Sequence, residues 1–87
     1  MIFTIEISHY PLINDYEEDI ISFIQQLHEI PNIIVRTNAM STQVKGEHFI
    51  ILPAIGEIIS KLGGKTSSTI LKIIPRDLPI EKREVTV

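Results

Sequence analysis

Residues 2–8 read Ile2-Phe3-Thr4-Ile5-Glu6-Ile7-Ser8, and this short alternation decides the fold class. Phe3, Ile5 and Ile7 fall on one side of an extended chain, with Thr4, Glu6 and Ser8 on the other. Period two with β-branched residues is the signature of a strand that is buried on one face only. Tyr10-Pro11 is expected to end it, because proline cannot continue a ladder.

Downstream the period changes. Asp15 stands three residues before Glu18, a capping-box spacing, and Glu17, Glu18 and Asp19 suit a helix N-terminus. Tyr16, Ile20, Phe23, Ile24 and Leu27 then recur at helical spacing, predicting a helix over Tyr16 to Glu29 that Pro31-Asn32 closes. Ile33 to Thr37 reads as a second strand and Met40 to Lys45 as a third, joined by a turn at Asn38-Ala39, where Asn tolerates left-handed backbone. Gly46 is expected to break that strand. Phe49, Leu52, Ile55, Ile59 and Leu62 describe a second amphipathic helix. Pro53 requires that helix to begin about a turn earlier or to kink. Gly63-Gly64 supplies a C-terminal cap. Thr69 to Ile74 is the fourth strand, stopped by Pro75.

The order β-α-β-β-α-β with right-handed crossovers predicts an α+β, ferredoxin-like fold. It has a four-stranded antiparallel sheet of order 4-1-3-2 and both helices on one face. The unit spans residues 1–78. Residues 79–87 read as an irregular, charged tail, in which Glu84 to Val87 could add an edge strand.

Helices cover one side of such a sheet, and the other must be solvated, paired or used. Its expected residues are Thr4, Glu6, Ser8 and Tyr10 on strand 1; the pattern of strand 2 fits either facing, and with Val35 inward it contributes Ile34, Arg36 and Asn38. Strand 3 adds Ser41 and Gln43, and strand 4 adds Ile70, Lys72 and Ile74. Leu71 and Ile73 are expected inward. Isoleucines on this face predict partial burial by a second subunit. A carboxylate on a central strand beneath such a partner needs a cation or hydrogen-bond donors. Glu6 therefore has two readings: a cross-strand pair with Lys72, or contact with a ligand.

Bulk composition narrows the function. The 87-residue chain is 44% hydrophobic with a formal net charge of −3, enough for one core. That charge argues against nucleic acid or an anionic membrane and is compatible with a neutral or cationic ligand. There is no cysteine, which removes disulfides, thiolate metal sites and cysteine nucleophiles. The N-terminus carries no basic leader and the longest apolar run, Phe49 to Ile59, is about half a membrane span, so a cytoplasmic protein is expected.

Catalytic and metal motifs fail on spacing. Gly64-Lys65-Thr66 looks like the end of a P-loop, but Ile59 stands where the first Gly is required, and the flanking elements are in the wrong order. His9, His28 and His48 never fall at a metal-ligand spacing. Ser8 and His9 are strand neighbours facing opposite ways, so they cannot form a nucleophile–base pair. A non-enzymatic binding protein without a resident cofactor or metal is the expectation.

Three segments carry a family resemblance. Ile5-Glu6-Ile7-Ser8-His9-Tyr10-Pro11-Leu12 resembles the opening strand of the YkoF-like family. Asn38-Ala39-Met40-Ser41-Thr42-Gln43-Val44, followed by Gly46-Glu47, resembles that family's most recognisable stretch. The closing Ile73-Ile74 and Asp77-Leu78 are a weaker echo. The resemblance covers roughly residues 2 to 78. It implies a ferredoxin-like fold, self-association through the sheets, and a thiamine or hydroxymethylpyrimidine ligand in thiamine salvage, carried or sensed. Some relatives hold two such domains in tandem, so a homodimer of this chain could supply the second. The residues it points to are Glu6, Ser8, Tyr10, Asn38, Ser41, Thr42 and Gln43. Glu6 would accept from an amino group or offset a cation, Tyr10 would stack on a ring, and the others would supply neutral hydrogen bonds. The competing reading is a self-assembly module whose open face serves only subunit pairing.

Overall fold

The computed structural model describes residues 1–11, 16–38, 41–62 and 67–81; of these, the side chains of residues 10, 11, 16–19, 62 and 67 are not described. The elements run β1 (Ile2–Pro11), α1 (Tyr16–His28), β2 (Ile34–Thr37), β3 (Thr42–Glu47), α2 (His48–Leu62) and β4 (Ser67–Ile74). They form one antiparallel sheet of order β2-β3-β1-β4, which is the expected ferredoxin-like arrangement.

The core lies between the sheet and the helices. Ile5 and Ile7 of β1 and Val44 of β3 meet Phe23 and Leu27 of α1 and Ile51, Ile55 and Ile58 of α2. Every one of them is at most 5% exposed. Burying such a side chain contributes about 1.5–3 kcal/mol, so these eight residues supply much of the apolar burial that offsets the conformational entropy lost on folding. His9, next along the same face of β1, stacks on Phe23 with ring centroids 4.8 Å apart, and its Nδ1 hydrogen-bonds Thr69 Oγ1 at 2.6 Å.

β1 ends at Pro11, as expected, and among the described residues its stretch beyond Ile7 pairs with β4 alone. Other local expectations are corrected by the structure. Gly46 does not break β3 but pairs with Phe3 inside it. A Cβ there would stand 2.9 Å from Cγ2 of both Ile33 and Ile51. Glycine thus lets α2 close onto the sheet, a packing role that looks like a strand breaker in sequence.

α2 begins at His48, five residues before Pro53, and Pro53 lies inside the helix. Its buried stripe is Ile51, Ile55 and Ile58, whereas Phe49 is 63% exposed. The helix is apolar on most sides near its start, so spacing alone did not single out the inward stripe. Ile73 shares the helix-side face with Leu71 but is 44% exposed, because β4 is a sheet edge. Among the described residues the left-handed one is Asn32, at φ 62°, not Asn38. The proposed caps at Asp15 and Gly63-Gly64, and residues 84–87, lie outside the described residues.

Candidate functional site

Antiparallel register converts the alternation of each strand into rows across the open face. Arg36, Gln43, Glu6 and Lys72 form one row. Ile34, Lys45, Thr4 and Ile74 form the next. Ser8 lies opposite Ile70 on the other side of the Glu6 row.

Glu6 is half-buried at the centre of its row. Ser41 Oγ donates to its Oε2 at 3.2 Å. Ser41 is in turn held by Asn38. The Ser41 amide donates to Asn38 Oδ1 at 3.0 Å, and the Asn38 amide donates to the Ser41 carbonyl at 3.0 Å. Asn38 therefore shapes the β2–β3 connection through its side chain. Lys72 stands directly across from Glu6 in the register, yet no ion pair joins them. The cross-strand salt bridge expected as one reading of Glu6 is absent.

The second row is not open. The chain after β4 turns back over it, forming a strap from Arg76 to Glu81. Its turns are tight: the Arg76 amide bonds the Ile74 carbonyl at 2.8 Å, and the Ile80 amide bonds the Leu78 carbonyl at 2.9 Å. Thr4 Oγ1 donates to the Arg76 carbonyl at 2.7 Å and accepts from the Leu78 amide at 3.1 Å.

Lys45 is the anchor. Its Nζ meets Glu81 Oε2 at 2.6 Å, Asp77 Oδ1 at 2.7 Å and the Leu78 carbonyl at 2.8 Å. Three N–H bonds thus find three acceptors, which is what a side chain only 8% exposed requires. The hydrogen bonds from Asp77 and Glu81 hold the Lys45 ammonium charged to a pH above its ordinary range. The reciprocal bond from Lys45 holds the Glu81 carboxyl below the usual carboxylate range. Arg36 Nη2 adds a bond to the Glu81 carbonyl at 2.8 Å.

Glu6, Ser8, Ser41 and Gln43 therefore share the uncovered part of the face, with Asn38 hydrogen-bonded to Ser41. Thr42 does not join them. It lies on the helix side of β3 with Val44, is 7% exposed, and its hydroxyl hydrogen-bonds that of Thr37 at 3.2 Å. The Tyr10 side chain is outside the described residues. Sequence reasoning passed over Lys45 as a strand end, although its parity with Gln43 placed it outward. An outward lysine followed by acidic Asp77 and Glu81 in the tail was the available signal for the strap.

Among the described residues no group of three or more His, Asp or Glu could hold a metal ion, and no helix is long and apolar enough to cross a membrane.

No family model matches the chain, and neither does any curated protein. Solved structures do. A hypothetical protein from Methanocaldococcus jannascii is 26% identical with a TM-score of 0.76, over 87% of this chain and 81% of that one. A protein of Thermotoga maritima, provisionally assigned to thiamine biosynthesis or salvage, is 21% identical with a TM-score of 0.81, over 93% and 92%. A domain of unknown function from Bacillus cereus is 18% identical with a TM-score of 0.76, over 95% and 86%. At these identities the likeness establishes the fold, and the thiamine assignment is that of the Thermotoga protein.

Proposed function

We propose that this chain is a non-enzymatic binder of thiamine, or of its hydroxymethylpyrimidine moiety, acting as carrier or sensor in thiamine salvage. The observation that carries the reading is Glu6: a half-buried carboxylate at the centre of an open sheet face, oriented by Ser41 and without an ion pair among the described residues. Thiamine brings a fixed positive thiazolium and an aminopyrimidine with donors and acceptors. Glu6 would accept from the amino group, a charge-assisted bond of the stronger kind. Ser8, Ser41 and Gln43 offer neutral partners within the same patch, and Asn38 fixes Ser41. Support beyond the site comes from the resemblance to the YkoF-like family and from the fold shared with the Thermotoga protein.

A shallow sheet face needs a lid to exclude water, and a second copy of this chain is the natural one. Ile70, beside Ser8 on the open face, is 59% exposed, and covering it would be favourable. The same exposure supports the rival reading, a self-assembly module without a ligand. Calorimetric titration with thiamine and with hydroxymethylpyrimidine separates the two. Binding that Glu6→Gln weakens, with the fold retained, supports the proposal. No heat and no thermal shift at millimolar ligand (a Kd weaker than about 1 mM, or roughly −4 kcal/mol) would sink it and leave the assembly module.

A further inference from the structure

The two cations that hold the strap lie near Glu6 on the open face, as does Lys72, its direct partner in the register. Lys45 pairs with Thr4 and Gln43 with Glu6, so Lys45 and Glu6 are diagonal neighbours on one face of adjacent strands. Such pairs sit about 7–8 Å apart at Cα, within reach of long side chains. Arg36 is in the Glu6 row itself, two strands away, or about 9–10 Å. Both cations point instead to the strap: Lys45 to Asp77, Leu78 and Glu81, and Arg36 to the Glu81 carbonyl.

Consider Lys45 without the strap. Its ammonium loses all three acceptors at once and must find another anion or water. Glu47, two residues along the same face, is held by the Met1 amino group at 2.9 Å. Glu6 accepts only the Ser41 hydroxyl among the described residues and is the remaining carboxylate beside Lys45 on that face.

We infer that the Arg76–Glu81 strap is a specificity device: by occupying Lys45, it keeps Glu6 open to an external cation or amino donor. Strap docking and ligand binding at Glu6 then favour each other, and by linkage each strengthens the other equally. The inference rests on the reading of Glu6 as the ligand contact. Its ligand-free consequence, that releasing the strap brings Lys45 onto Glu6, does not.

Two variants and two readouts test it. In Asp77→Asn/Glu81→Gln the strap loses both anions, and both sites are exposed enough for the fold to persist (64% and 44%). Nuclear Overhauser contacts between the Lys45 ε-methylene and the Glu6 γ-methylene are expected in this variant and not in the unaltered protein. Thiamine affinity is expected to fall about tenfold, the scale of one partly buried charge pair. Adding Lys45→Met to the pair of substitutions should restore it. Lys45 remaining away from Glu6 in the double variant overturns the inference, whether or not thiamine binds. Lys45–Glu6 contacts together with no thiamine binding to any form would uphold the strap's role and remove the thiamine reading.

Discussion

Ser41 Oγ donates to Glu6 Oε2 at 3.2 Å while its own backbone is bonded twice to Asn38. A connection between two strands thereby sets the orientation of a carboxylate on a third. Orientation of this kind lowers the entropy a ligand must remove on binding.

Ser41→Ala leaves Glu6 in place but frees its rotamers. Thiamine affinity should drop by about three- to tenfold, the size of one modest hydrogen bond, with the thermal midpoint nearly unchanged. Calorimetry and a melting curve on the same sample check this. An affinity equal to that of the unaltered protein removes Ser41 from the site.

Thr42→Val is the complementary case. Thr42 is a neighbour of Ser41 in sequence but lies on the helix side of the sheet, bonded to Thr37. The substitution should cost stability on the order of 1 kcal/mol through the lost hydroxyl bond and leave ligand affinity untouched. A large loss of affinity with an intact fold would mean that the ligand reaches the helix side.

Gly46→Ala tests the packing that positions β3. The new methyl would meet Ile33 and Ile51 at 2.9 Å, and overpacking of this kind typically costs about 1–3 kcal/mol. Urea unfolding reads it directly. A midpoint indistinguishable from that of the unaltered protein would show that both isoleucines give way freely.

The strap should respond to pH at both extremes. Glu81 titrates below its ordinary range because it is bonded to Lys45. Its contribution is present above the ordinary glutamate value, about 4.3, and is lost as pH falls through the lowered value. Lys45 titrates above its ordinary range because of Asp77 and Glu81. Its contribution is full below about 10.4 and is lost as pH rises beyond the raised value. The Leu78 amide, bonded to Thr4 Oγ1, is the reporter. Its proton shift should hold steady through neutral pH and move in acid below the usual carboxylate range. A transition centred near neutrality would contradict the Lys45–Glu81 assignment.

Much of the fold was legible because it depends on local periodicity. Alternation from Ile2 to Ser8, helical spacing from Ile20 to Leu27, and the order of elements led to the observed sheet and to the correct outward face of β1. Errors arose where one residue type serves two purposes. Gly46 looked like a breaker and is a close-approach position. Phe49 fitted the apolar spacing of α2, yet Ile51 and Ile58 face inward. Thr42 stood inside a recognisable motif, but strand parity sends it to the other face from Ser41.

Alternation at Glu6 thus determined, from sequence alone, that a carboxylate leaves the core on a central strand, because side-chain direction in a strand follows position. Whether that carboxylate meets a cation is a different kind of question. It depends on which anions compete for Lys45 and Arg36, and the competitors, Asp77 and Glu81, lie more than thirty residues away along the chain. Only the tertiary structure, by folding the strap back over Thr4, decided that Lys45 is occupied and that Glu6 is not paired with it.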